Sequence, residues 1–520
     1  MTNAPAFIRT LLIYSICLPL AIFVGYLLSD PISYTSFFGI GLLLLAMLAP
    51  VLLRWHHFWL VATWNCTAVI FFLPGRPTLW FLIVWMSLGI SVLQYALNRR
   101  LKFISVPSIT HPLVLLAVVI LATAELRGGI GMSALGSQLQ GGKRYLLLLT
   151  AIAGYFAITS QQVSPRRAWL VVGVFFFGAL TQGIGELAHL GGGPFEFLFL
   201  IFPLNQESFA ALLNQDSAIQ VGSSLSRLEL LSPVGTAIFC YLLAKHGVKG
   251  VFDARHPGRF AVFILCILAG LLSGFRGTLV VFVVTFGILF YLEGLTHSRL
   301  LPAFILLFIL GSASVLPFVR HLPLSIQRTV AFLPLDIDPV AKMSAQTTVD
   351  WRLQMWKDVL PQVPKYLLLG KGYTFDLNEA ELMTMPGARG ATQTEMAELA
   401  GDFHNGPLST IIPLGIIGLT ALIWFIVSSL KVLDRNRKFG RPEYQQINTF
   451  LFAYFLCKVI FFFTIFGSLY VDLAMFAGLV GLSISLNGGV AKAAPVEAEA
   501  KELPESLRIR RRSLREPVTA

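Results

Sequence analysis

The chain has 520 residues, of which 56% are hydrophobic and 13% charged, with 42 phenylalanines and a formal net charge of +12. A soluble domain carries about 25% charged residues, so this balance excludes an ordinary soluble fold and points to lipid. The positive excess would suggest nucleic acid in a soluble protein, but Lys and Arg cluster in particular loops between apolar runs; topology accounts for them, and no nucleic-acid partner is expected.

Runs near the roughly 20 apolar residues that cross a bilayer core recur along the chain. They predict spans near 8–28, 36–53, 57–73, 78–97, 112–124, 144–160, 168–187, 230–244, 259–273, 276–293, 299–318, 407–430, 447–466 and 469–486. The expected fold class is an all-α polytopic membrane protein of about 12–14 transmembrane helices, the spread coming from a short stretch at 112–124 and a long apolar pair at 259–293. The first run, Leu11 to Leu28, follows Arg9 without a small-residue cleavage pattern and reads as a retained helix. All five cysteines (Cys17, Cys66, Cys240, Cys266 and Cys457) sit inside apolar runs, where they act as small hydrophobes, so neither disulfide, metal nor cofactor is indicated.

With a cytoplasmic N-terminus, the even-numbered connections should be rich in Lys and Arg. Asn98-Arg99-Arg100-Leu101-Lys102, Pro165-Arg166-Arg167, the Lys245 to Arg259 loop and the Lys431 to Arg441 loop all fall on that side. So does the basic tail Arg508-Ile509-Arg510-Arg511-Arg512, which reads either as a topology-fixing solvated tail or as a partner for anionic lipid headgroups. The chain is expected to divide into an N-terminal transmembrane bundle (1–187), a central transmembrane region (188–318) opening with the non-cytoplasmic loop 188–229, a large non-cytoplasmic loop (319–406), C-terminal helices (407–486) and a disordered basic cytoplasmic tail (487–520). Within the large loop, Asp350 to Leu360 has apolar residues at helical spacing and predicts an amphipathic helix along the membrane surface.

Cations on the non-cytoplasmic side are exceptions to the topology rule and need a partner, a snorkelling path to water, or an anionic ligand. Arg127, Lys143, Arg144, Arg227, Arg276, Arg352 and Lys371 are such residues. Arg276 lies in a Ser-Gly-Phe-Arg-Gly break between two apolar halves, where broken helices line cavities, although snorkelling would also explain it. Arg227 precedes the helix-opening pair Ser232-Pro233 and either pairs with Glu229 or faces the same cavity; a cluster of arginines there would suit phosphate.

His404, in Gly401-Asp402-Phe403-His404-Asn405-Gly406-Pro407, falls at a helix start that Asn405 or Gly406 caps and Pro407 opens. It reads either as a general base for a hydroxyl or as a surface hydrogen-bonding residue, with Asp402 either orienting it or simply solvated. Gly370-Lys371-Gly372 reads as a turn, since the context of a dinucleotide site is absent. Lys458 and Asp472 read either as a pair across the last helical hairpin or as parts of a proton path.

Taken together, the Arg227 segment, Ser273-Gly-Phe-Arg276-Gly, Arg352-Leu-Gln-Met-Trp356, Leu369-Gly370-Lys-Gly372-Tyr373, His404-Asn405-Gly-Pro-Leu408 and Leu414-Gly415-Ile416-Ile417-Gly418-Leu419 resemble, in their order, the O-antigen ligase and polymerase superfamily. The resemblance implies a GT-C-like bundle in a bacterial inner membrane. It further implies metal-independent, inverting transfer of a glycan from a polyprenyl (undecaprenyl) diphosphate carrier to a glycan, lipid or protein acceptor on the periplasmic face. On the same basis Arg227 and Arg276 would hold the diphosphate, His404 would act on the acceptor hydroxyl, and Arg352 would contact carrier or sugar. The loop Glu125 to Arg144 has no assigned counterpart and either binds the acceptor or seals the bundle. A transporter or flippase of an anionic lipid-linked glycan is the competing reading; one dominant outer loop in place of comparable loops on both faces speaks against it.

Overall fold

The computed structural model describes residues 4–30, 33–73, 75–98, 103–127, 139–203, 228, 230–376 and 401–492. Arg227 and Glu229, the basic stretch 99–102 and the tail from 493 lie outside the described residues. Apart from one pair of two-residue strands, the described residues form helices and their connections, the fold class expected from composition. In chain order the main helices are α1 (Ala4–Ser29), α2 (Tyr34–Thr63), α3 (Leu79–Leu97), α4 (Pro107–Leu126), α5 (Gly142–Thr159), α6 (Ala168–Phe177), α7 (Gln182–Gly191) and α8 (Leu231–Val251). Then follow α9 (Pro257–Leu272), α10 (Arg276–Leu292), α11 (Leu300–Val315), α12 (Leu324–Thr329), α13 (Pro339–Val359), α14 (Leu408–Phe439), α15 (Gln445–Thr464) and α16 (Leu469–Asn487).

In lipid, backbone groups must be satisfied within the protein, which is why apolar runs of this length become helices. Six helices among the described residues are long and apolar enough to cross a membrane, with shorter apolar helices such as Pro257–Leu272 and Arg276–Leu292 beside them. This is fewer full-length spans than the apolar runs predict: α9, α10 and α11 run only 16, 17 and 16 residues, and one expected pair of spans is a single bent helix. The pair expected at 36–53 and 57–73 is one helix, α2, bent by 115° between Leu48 and Leu53, and the chain beyond Thr63 leaves helical geometry before α3. Thr78, whose hydroxyl accepts the Phe81 N–H, caps the start of α3.

The core is centred on α5 and α16. Trp64, just past α2, inserts its indole between them and donates to the carbonyl of Ala474 at 3.1 Å. A Cβ at Gly154 on α5 or at Gly478 on α16 would collide with this ring, so small residues make the close approach possible. At the far end of α14 a polar cluster fastens the last three helices. Asn436 donates to Ser483 at 3.0 Å, and Asn448 and Asn487 exchange side-chain hydrogen bonds at 2.9 and 3.1 Å.

α14 is broken near its start. Pro413 lacks an N–H, and Gly415 departs from the helix at φ 69°. The chain Leu367–Gly372 fills the break: Lys371 N donates to Ile412 O at 2.6 Å, Gly372 N to Pro413 O at 3.0 Å, and Ile416 N to Leu367 O at 2.6 Å. Backbone groups freed by the break are thus satisfied from the large loop. The Gly370-Lys371-Gly372 turn is tight for the same reason, since a Cβ at Gly370 would strike the Pro413 carbonyl and Gly370 sits at φ 72°.

Candidate active site

α13 begins where Asp338 accepts the Val340 N–H at 2.8 Å and Pro339 occupies the first turn. The amphipathic helix expected over 350–360 is its second half. Met355 and Val359 on its buried face pack with Phe403, Leu408 and Ile412. Trp356 donates its indole N–H to the Phe403 carbonyl at 2.9 Å, which sets the height of the next residue, His404, against the helix.

The loop carrying His404 is held from the other side by the turn between α15 and α16. Gly406 N donates to Phe462 O at 3.1 Å, and the Ser409 hydroxyl donates to Gly467 O at 2.9 Å while accepting from Phe403 N. Asn405 caps α14, its side-chain oxygen accepting from Leu408 N at 3.1 Å, as the sequence predicts. Between these fastenings His404 takes φ 51°, a left-handed conformation uncommon for a residue with a Cβ.

Asp402 Oδ1 accepts both the His404 backbone N–H and ring Nδ1, each at 3.0 Å. A carboxylate is an acceptor, so in the neutral imidazole this contact assigns the ring proton to Nδ1 and the lone pair to Nε2. Nε2 makes no hydrogen bond among the described residues. The ring sits between Trp351 (centroids 5.0 Å apart, edge-on) and Phe466 (4.6 Å), and the side chain remains 24% exposed, enough to meet a ligand.

Arg352, one residue beyond Trp351, lies over the same Phe466 ring at 5.7 Å. Burial pulls its guanidinium below the ordinary arginine value and the nearby Asp402 carboxylate pulls it back up; an arginine so placed stays charged. Arg276 opens α10 after the Gly274 break and is near enough to Arg352 for the two charges to repel. Its Nε donates to the Arg328 carbonyl at 3.2 Å, and Arg328, buried on α12, reaches Thr348 on α13 at 3.2 Å. One terminal nitrogen of Arg276, Nε of Arg352 and the indole nitrogen of Trp351 are buried without a hydrogen-bond partner among the described residues. Buried cationic donors left in this state are expected only where something else supplies the acceptors.

The structure therefore brings His404, Arg352 and Arg276 into one neighbourhood. Arg227 lies outside the described residues, but Ser232, five positions on, meets Thr278 of α10 at 2.6 Å, so the α8 start adjoins the Arg276 helix. Of the other outlying cations, Arg144 joins the group: it is within reach of the Asp402 charge, lies 5.8 Å over the Tyr470 ring, and donates to Tyr373 O at 3.4 Å. Lys143 instead reaches the Gly75 carbonyl at 3.4 Å, and Lys371 serves the helix break through its backbone.

The segment around Arg127 and Arg144 is zipped to the large loop. Leu139–Gln140 (β1) pairs antiparallel with Phe375–Asp376 (β2), Thr374 donates to Arg127 O at 2.9 Å, and the Tyr373 N–H donates to the Tyr145 hydroxyl oxygen at 2.8 Å. Burial pushes the Tyr373 phenol well above its usual range. Lys458 and Asp472 do not form the direct pair expected of them: Asp472 accepts the Ser468 N–H at 2.9 Å, Lys458 lies 5.6 Å over Phe461, and the two attract only at longer range.

The sequence singles out none of Trp351, Phe466 and Arg328, and names Arg144 only as one of the outlying cations. The Asp-x-His spacing was the available signal for the Asp402 contact. Phe466 had none, since it arrives from a helix turn more than sixty positions along the chain.

Residues 261–423, which contain Arg276, Arg352 and His404, match the family model described as O-antigen ligase. No curated protein matches the chain. The chain is thus an all-α polytopic membrane protein in which a segment of 163 of its 520 residues is similar to O-antigen ligases.

Proposed function

We propose that the protein transfers a glycan from a polyprenyl (undecaprenyl) diphosphate carrier to an acceptor hydroxyl, as a ligase or polymerase of a surface polysaccharide, at the face of the membrane away from the cytoplasm. His404 takes the acceptor proton on Nε2, the hydroxyl oxygen attacks the anomeric carbon, and the bond from that carbon to the diphosphate breaks. The electron pair stays on the diphosphate, and attack from the face opposite the leaving group inverts the anomeric centre. Charge gathers on the leaving diphosphate in the transition state, so fixed guanidinium groups favour that state over the bound substrate. Arg276 and Arg352 are assigned to this role, with Arg227 as a third cation from the start of the α8 segment. The step as written is metal-independent and needs no cofactor.

The observation that carries the reading is the pairing of two groups within one matched domain. An imidazole is oriented by Asp402 and, among the described residues, its Nε2 is unengaged and two arginines beside it have buried donors unmet. The periplasmic placement and the inner-membrane location rest on loop charge and on the resemblance.

The test is glycan analysis of cells expressing His404→Ala or Arg276→Ala beside a deletion strain. Carrier-linked glycan should accumulate and surface glycan should fall in both variants at normal expression. Unchanged surface glycan in both would remove the catalytic assignment. Carrier flipping by the purified protein in vesicles, unaffected by His404→Ala, would favour a transporter instead.

A further inference from the structure

At the end of the bundle opposite His404, a cavity of about 910 Å³ opens between the first turn of α4, the Ser428 to Arg435 stretch of α14 and the Gly488 to Lys492 segment after α16. Beyond the break, the unbroken stretch of α14 from Ile416 to Lys431 rises roughly 22 Å at 1.5 Å per residue. With the broken first turns before it, this carries the chain most of the way across the ~30 Å hydrocarbon layer from Leu408, so the cavity lies toward headgroup level in the leaflet away from the candidate active site.

Its charge is one-sided. Lys431, Arg435 and Lys492 line it, and none has an ion-pair or hydrogen-bond partner among the described residues. Asp434 also lines it, but that carboxylate is already held by Arg437 at 2.6 Å and Lys438 at 2.7 Å. Apolar Phe103, Ile104 and Val490 complete the wall.

The wall is also built rather than incidental. Asn436, fully buried, accepts the Ala491 N–H at 2.8 Å and donates to Gly489 O at 3.3 Å and to Ser483. This pins the segment bearing Lys492 against α14, across the cavity from Lys431 and Arg435.

We propose that this cavity is a binding site for the phosphate of an anionic two-chain phospholipid, seated by Lys431, Arg435 and Lys492, with its acyl chains leaving along Phe103 and Ile104. The site is independent of the transfer chemistry and would hold whatever the acceptor proves to be.

The test uses the full-length protein in neutral detergent, titrated with phosphatidylglycerol, phosphatidylcholine or inorganic phosphate and read by native mass spectrometry. Phosphatidylglycerol should be retained in preference to phosphatidylcholine, and the double variant Lys431→Gln with Arg435→Gln should bind it roughly tenfold more weakly. Arg255→Gln, an exposed cation away from the cavity, should bind as the unaltered protein does. Equal retention of the two lipids overturns the proposal, as does equal weakening by Arg255→Gln. Displacement of phosphatidylglycerol by an equal concentration of inorganic phosphate would show a free-anion site and overturn the lipid assignment.

Discussion

Asp402 Oδ1 sits 3.0 Å from the backbone nitrogen of His404 and 3.0 Å from its ring Nδ1, so one oxygen fixes both the strained backbone and the orientation of the imidazole. Asp402→Ala removes both supports while leaving the ring in place. Transfer measured with purified carrier-linked glycan should fall by about 100-fold in kcat, the lower end of what positioned acid–base catalysis contributes, with little change in KM for the carrier. A fall confined to KM would assign Asp402 to substrate binding instead.

The left-handed backbone at position 404 separates stability from chemistry. His404→Ala and His404→Gly both abolish the imidazole, but glycine reaches φ 51° without the Cβ penalty. His404→Gly should therefore be more stable than His404→Ala by about 1 kcal/mol in thermal unfolding, while both are equally inactive. Equal melting temperatures would show that the backbone there carries no strain.

Trp356→Phe keeps the aromatic volume of the anchor and deletes the indole N–H that reaches the Phe403 carbonyl. Loss of this one hydrogen bond should cost about 1 kcal/mol of stability. Because Phe403 adjoins His404, kcat should fall several-fold with the protein still folded; an unchanged kcat would mean that the α14 cap alone positions the imidazole.

Gly415→Ala tests the broken helix. The new methyl would meet the Leu368 carbonyl at a residue already at φ 69°. Destabilisation of roughly 2 kcal/mol or more is expected from combined strain and clash, together with faster proteolysis in the large loop. A variant as stable as the parent would show that the loop can lift out of the break without loss.

Fold class was legible because apolar length and loop charge act locally: each run declares itself without reference to its neighbours. The bend in α2 was not, since Leu48 to Leu53 contains only Pro50 to mark it, and proline inside a membrane helix is often tolerated. At the site, the types of residue were readable but their company was not. Arg276 stood out as a cation in a break, and His404 as an imidazole at a cap. Whether the imidazole had a partner depended on which way Asp402 turned, and the Phe466 contact depended on how two distant helices meet. The role of Gly370-Lys371-Gly372 was hidden for the same reason: its hydrogen-bond acceptors lie some forty positions later, on Ile412 and Pro413.

The stitching of Leu367–Gly372 into the break of α14 bears on which changes of chain length the protein can absorb. Three backbone hydrogen bonds fix that segment residue against residue, so removing a single position there would shift every partner at once. A side-chain substitution at Lys371 leaves all three intact. The segment should therefore accept changes of residue type yet reject insertions and deletions, which makes it a ruler between the large loop and the helix that carries His404.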